Sequence, residues 1–174
     1  MNNARTTRAA WLLAAGLLAV PAWAGDDAKS FSIGFEGKER ASLADLGLPA
    51  YPGATPYSES QGDKSAVTLG AWAGSFGLRV SAMKFQVADS PARVAAFYAQ
   101  ALKQHGTVLD CREPAARVKP PQGDKTERLS CEEGALPTGV YEFRVGTSKR
   151  FRVVKVTPHG DGARFDMARV ALGN

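Results

Sequence analysis

The chain has 174 residues, 44% of them hydrophobic and 22% charged, with a formal net charge of +5 at pH 7. This length suits one domain able to bury a sizeable core, and it leaves no room for several. The charge is mild, so it permits contact with anionic headgroups or other polyanions without demanding it.

The chain opens MNNARTTRAAWLLAAGLLAVPAWAGDD. Arg5 and Arg8 give a positive start, Ala9 to Val20 is an apolar run, and Pro21 breaks it before Ala22-Trp23-Ala24. This is the pattern of a secretory signal peptide, with cleavage expected after Ala24. The run is shorter than the ~20 residues a membrane-spanning helix needs. Residues 1–24 are therefore read as a leader and 25–174 as a single domain, periplasmic or secreted, with no membrane span in the mature chain. Losing Arg5 and Arg8 lowers the net charge to +3. Export also argues against nucleic acid as a partner.

Beyond an irregular start at 25–30, Phe31, Ile33 and Phe35 alternate as a short strand does. "LADLGLPAYPGATPYSES" predicts a turn of helix and then an extended segment broken at Pro49, Pro52 and Pro56. "SAVTLGAWAGSFGLRVSAMKFQVAD" predicts two strands joined at Ala73-Gly74-Ser75. In the second strand the apolar positions are Leu78, Val80 and Ala82, then Met83, Phe85 and Val87. That change of parity predicts either a bulge or a strand buried on both faces.

"DSPARVAAFYAQALKQHG" predicts one amphipathic helix over about 90–105. Ser90 is placed as N-cap and Pro91 at the first helical position. Val94, Phe97, Tyr98, Ala101 and Leu102 form one stripe, and Gly106 ends the helix.

The only two cysteines, Cys111 and Cys131, enclose a Pro- and charge-rich stretch. Export favours an oxidised pair. The spacing is not C-x-x-C, and zinc would find only His105 and His159 as further nitrogen ligands. "TVLDC" and "RLSC" are read as two strands that a Cys111–Cys131 disulfide staples, with a tethered loop between them. Strands follow at "GVYEFRVG", "KRFRVVKVTP" and "ARFDMARVAL", joined by turns at Gly146-Thr147-Ser148 and His159-Gly160-Asp161-Gly162. The whole reads as α+β, a mainly antiparallel sheet with one helix on one face, in the order β-β-α-β-β-β-β-β.

"LPAYPGA" (48–54) and "DSPARVAAFYAQALKQHG" (89–106) resemble a group of small exported bacterial domains that carry L-P-x-Y-P-G-A before a D-S-P-x-x-V-x-x-F-Y helix. The resemblance implies secretion and an α+β fold, and supplies no activity.

No catalytic constellation, metal site or cofactor motif is read. Ala73-Gly74-Ser75-Phe76-Gly77 is one letter from the G-x-S-x-G elbow, but strands flank it where a strand-to-helix turn is needed. His105 suits a helix-end capping role, and Glu132-Glu133, as neighbours, would point to opposite faces. The suggestive feature is charge on the last three strands. Arg144, Arg152 and Arg164 are placed together on the outer sheet face as an anion site, with a solvated face and cross-strand ion pairs as the alternative. Trp72 and Phe76 are candidate contact residues, with core packing as the alternative for both. The sequence thus points to a non-enzymatic binding module for an anionic lipid or an envelope protein. The other readings are an inhibitor acting through the 111–131 loop, or a small hydrolase using His159, Asp161 and a serine.

Overall fold

The computed structural model describes residues 33–38 and 41–173. The expected leader at 1–24 and the segment 25–30 lie outside the described residues. The elements are β1 (Ile33–Lys38), α1 (Leu43–Leu46), β2 (Thr55–Pro56), β3 (Ala66–Ala73), β4 (Phe76–Val87), α2 (Pro91–Leu102), β5 (Val108–Asp110), β6 (Tyr141–Gly146), β7 (Arg150–His159) and β8 (Gly162–Leu172). They form one antiparallel sheet in the order β1-β3-β4-β8-β7-β6-β5, and the two-residue β2 also pairs with β4. The α+β architecture agrees with the expectation. The order differs, because four described strands precede α2 and four follow it.

Helix α2 begins where its sequence says it should. The Ser90 hydroxyl accepts from the Arg93 N–H and Pro91 occupies the first turn, while Gly106, at φ 127°, follows the short 3-10 turn at 103–105. Val94, Ala95, Tyr98 and Leu102 are buried. They meet Phe85, Phe143, Val145, Val154, Val156, Phe165 and Met167 from the sheet. Tyr51 joins them, edge-on to Phe97 at 5.0 Å, while Phe85 and Phe165 stack at 5.4 Å. Its hydroxyl donates to Asp89 at 2.9 Å, and the Tyr98 hydroxyl donates to the Pro49 carbonyl at 3.3 Å. The LPAYPGA and DSPARV stretches therefore pack against each other, closing one end of the core.

Helix α1 has a single turn. A capping box between Ser42 and Asp45 opens it, and Gly47 in the left-handed region, φ 64°, ends it. Three side chains from elsewhere in the chain hold its last carbonyls. Arg169 donates to Asp45 at 3.2 Å and Arg152 to Leu46 at 2.7 Å, while His105 Nε2 lies 2.7 Å from the Gly47 carbonyl. Cationic donors suit the negative end of a helix. The capping role read for His105 is thus played on α1, not on its own helix.

The parity change in β4 has an explanation other than a bulge. The pairing of β4 with β8 runs without interruption from Leu78↔Leu172 to Val87↔Ala163. Met83, Phe85 and Val87 face the helices, and Leu78, Val80 and Ala82 face the other way. Two neighbouring strands switch at the same level. In β8, Phe165 and Met167 face the helices while Val170 and Leu172 do not. In β7, Val154 and Val156 face the helices while Phe151 and Val153 do not. Register aligns the switch, as Ala82, Ala168 and Val153 are cross-strand partners, and so are Met83, Met167 and Val154. The sheet is therefore apolar beneath the helices at one end and apolar on its opposite face at the other.

The stapled segment also departs from expectation. Cys111 and Cys131 form the disulfide, with Cα atoms 5.5 Å apart. Yet residues 128–131 form no strand. The Cys131 N–H donates to the Ala116 carbonyl, inside the loop itself, and prolines at 114, 120 and 121 keep this stretch out of the ladder. The loop is tied down over β6 and β7, because Ser148 N–H donates to the Glu127 carbonyl and Arg144 donates to the Ser130 carbonyl at 3.2 Å.

Candidate functional site

The face of the sheet turned away from α2 carries the candidate site. Across β4, β8, β7 and β6 the first row there is Lys84, Asp166, Lys155, Glu142. On one side lies the row Gln86, Arg164, Thr157, and on the other Ala82, Ala168, Val153, Arg144. Val80, Val170 and Phe151 come next, then Leu78 and Leu172. Side chains on one face recur every second residue, so each row lies about 6.8 Å beyond the last.

Two segments wall this face. On the β4 side, Lys84 pairs with both Asp63 oxygens at 2.9 Å and Arg164 pairs with Glu59. On the β6 side, Arg144 pairs with Glu142 at 2.7 Å and with Glu132 at 3.2 Å, and Cys111 Sγ lies 3.8 Å from Glu142 Oε1. Between them is an open depression of about 420 Å³. Its charged lining balances, with Lys84, Arg144, Lys155 and Arg164 against Glu59, Glu132, Glu142 and Asp166.

Charge is unevenly satisfied within it. Arg144 and Glu142 are 14% and 10% exposed at their side chains, a mostly buried and fully engaged pair. Asp166 is not engaged in this way. Its contact with Arg164 is long, 3.6 Å, and its Oδ1 is shut off from solvent without a hydrogen-bond partner, as is Arg164 Nε. Burial holds the Asp166 carboxyl above the usual aspartate range, against the opposing pull of Arg164 and Lys84. Asp63 shows the reverse. Backbone donation from Glu59 and then the Lys84 ammonium hold its carboxyl below that range. Lys155 is exposed and makes no ion pair among the described residues.

Arg144, Arg152 and Arg164 do not share a face. Arg144 and Arg164 border the depression. Arg152 is the partner of Val145 and Arg169 and points to the helix side, where it caps α1. Burial and the neighbouring Arg169 lower its pKa. Strand parity decides this. Val153, next along the chain from Arg152, is the cross-strand partner of Arg144, so Arg152 falls on the opposite face from Arg144.

Trp72 and Phe76, read as candidate contact residues with core packing as the alternative, are 42% and 56% exposed, and Leu69 in the same hairpin is 59% exposed. Trp72 stands across from Gly77 and Phe76 from Ala73, so the two rings flank the β3–β4 turn on opposite faces. The Gly173 N–H donates to the Gly77 carbonyl and the Leu172 N–H to the Lys149 carbonyl, which brings the β6–β7 turn to the same end. Arg79 and Arg150, both cross-strand partners of Ala171, project from that end on the helix side.

His159 is exposed and stands edge-on to Tyr57 at 5.0 Å. The hollow beside His159 and Asp161 is lined by Gly53, Thr55, Gln86, Val87, Ala88 and Gly162, and holds no serine. Glu132 and Glu133 each take a different cation, Arg144 and Lys119. Among the described residues no group of three acidic, histidine or cysteine side chains is placed to hold a metal. Comparison with protein-family models, with curated proteins and with solved structures returns no match.

Proposed function

We propose that this protein is an exported, non-enzymatic binding module that seats on anionic lipid surfaces of the envelope through the Trp72–Phe76 end of the sheet. The observation that carries the reading is the grouping of exposure. Among the described residues, three of the four exposed large hydrophobic ones, Leu69, Trp72 and Phe76, belong to one hairpin. Arginines at 79 and 150 and Lys149 crowd the same end. A tryptophan and a phenylalanine at a hairpin turn, bordered by cations, suit the boundary between headgroups and acyl chains. Each basic residue near an anionic surface contributes about 1 kcal/mol. Burying the exposed part of each apolar side chain adds on the order of 1 kcal/mol. No helix among the described residues is long and apolar enough to cross a membrane. The Cys111–Cys131 disulfide fits an oxidising compartment.

Sedimentation with phosphatidylglycerol vesicles tests the reading. The protein pellets with them, less so in high salt, and its Trp72 emission, isolated as the difference from Trp72→Phe, moves to shorter wavelength. Trp72→Ala/Phe76→Ala lowers the affinity about thirtyfold and leaves the far-ultraviolet spectrum unchanged. Equal pelleting of this double variant and the parent, or no pelleting of either, overturns the reading.

A further inference from the structure

The apolar rows on the open face run from the charged depression toward the hairpin, where Leu69 lies beside Val80. The inversion of polarity across the sheet is built into three adjacent strands at one level, Ala82/Met83, Ala168/Met167 and Val153/Val154. On the helix side, apolar residues are used up beneath α2. On the other side, Val80, Val170, Phe151, Leu78 and Leu172 remain partly exposed. A contiguous apolar strip on a soluble face marks a place where something docks. Here it leads directly into the charged depression, through a floor of small residues, Ala82, Ala168 and Val153.

We propose that this face holds one molecule of a single-chain zwitterionic amphiphile, with its head between Lys155 and Asp166 and its tail along Ala82, Ala168, Val80 and Val170. Charge selects the head. The lining is balanced, and Arg144 and Arg164 are already paired with carboxylates, so a net anion gains little there. What the lining leaves over is one cation, Lys155, directly across from one partly exposed carboxylate, Asp166, whose contact with Arg164 is long at 3.6 Å. A phosphate and an ammonium on the same head answer both, and an ammonium that can donate hydrogen bonds answers Asp166 best. The strip selects the tail. From the Ala168 row, where the tail begins, to the Leu172 row is about 14 Å, which fits an extended chain of about a dozen carbons. Its width is limited on the β7 side, where Phe151 borders the loop residues Pro120 and Leu129, so one chain fits better than two. The tail row at Val80 adjoins Leu69 of the hairpin, but the head lies three rows from Leu172 at the other end of the strip, so selection of the head does not rest on the membrane seating proposed above.

Calorimetric titration of the lipid-stripped protein with three monomeric amphiphiles, each below its micellar concentration, tests this. The probes are lauroyl lysophosphatidylethanolamine, lauroyl lysophosphatidylglycerol and dodecyltrimethylammonium. The expected result is saturable one-to-one binding of the ethanolamine lipid, at least about tenfold tighter than either of the others. Asp166→Asn removes the preference over the glycerol lipid, Lys155→Ala removes the preference over the trimethylammonium probe, and Val80→Thr/Val170→Thr, which keeps side-chain shape, weakens all three. Trp72→Ala/Phe76→Ala retains the binding while losing vesicle sedimentation, so the two readings fail separately. Tighter binding of the glycerol lipid, no effect of Lys155→Ala, or no saturable binding by the parent overturns the proposal.

Discussion

Arg152 Nε donates to the carbonyl oxygen of Leu46 at 2.7 Å, joining residues 106 positions apart. The bond fastens the one-turn helix α1 to the middle of β7. It also turns a cation away from the face that carries Arg144 and Arg164. An arginine that reads as surface charge in the sequence is a structural clamp, and Arg169, its cross-strand neighbour, performs the same task one carbonyl earlier.

Arg152→Leu should therefore destabilise the fold and leave the open face intact. A hydrogen bond from a charged donor contributes about 1.5–3 kcal/mol. Urea denaturation should show a loss of that size, with vesicle sedimentation and amphiphile binding unchanged. Weakened binding at parental stability would mean that Arg152 acts at a ligand site after all.

Replacing both cysteines with serine, or reducing them, should cost about 3 kcal/mol, the loop-closure entropy of a ring of this size. Because residues 128–131 add no strand, the far-ultraviolet spectrum of the surviving native state should be nearly unchanged. Protease cutting should appear within 112–130, where the loop loses its second anchor. Parental thermal stability after full reduction would contradict this.

Asp166 should give a pH signature of its own. Folding raises its pKa from the ordinary 3.8 through burial, so the native chain keeps this proton to higher pH than the unfolded chain does. The native state is penalised above that range, and the penalty disappears as pH falls below the unfolded value. Asp166→Asn should therefore gain stability relative to the parent at neutral pH and lose that advantage by about pH 3. Thermal melts at both pH values check it. An advantage that grows on acidification would reverse the sign.

Gly162 opens β8 immediately after the turn that follows His159. A Cβ there would collide with the Val87 carbonyl oxygen and lie 2.9 Å from the Ala88 Cα. Neither is the end of a flexible side chain, so backbone must move. Gly162→Ala should cost about 1–3 kcal/mol. Gly160→Ala, two residues earlier, meets nothing within 4 Å and provides the comparison for a turn glycine whose φ of +56° alone resists substitution. Similar losses for both would show that backbone conformation, not crowding, governs this turn.

Much of the fold was legible in the residues. The α2 cap, stripe and terminator are local signals, set by which backbone groups lack partners at a helix end and by the 3.6-residue period. The turns at 146–149 and 160–161 follow from glycine placement, and the alternation in β6, β7 and β8 from the two-residue period of a strand. The reading of "RLSC" as a strand failed because its alternation is only two residues deep and the prolines before it bend the loop back on itself. The candidate site was half visible. Arg144 and Arg164 were identified, but Arg152 belongs to the helix side, and Lys84, Asp63 and Glu59 carry no local signal that would bring them there. The parity change at Ala82–Met83 was the available signal for a second apolar face, and it gained meaning only with the matching changes in β7 and β8.

By itself the sequence determined the period, caps and turns of each element, because these depend on neighbours along the backbone. Which face each strand offers, and which charges meet, was decided by register between segments up to a hundred residues apart. Shifting a strand by one residue exchanges its two faces, and nothing local in the chain records that choice.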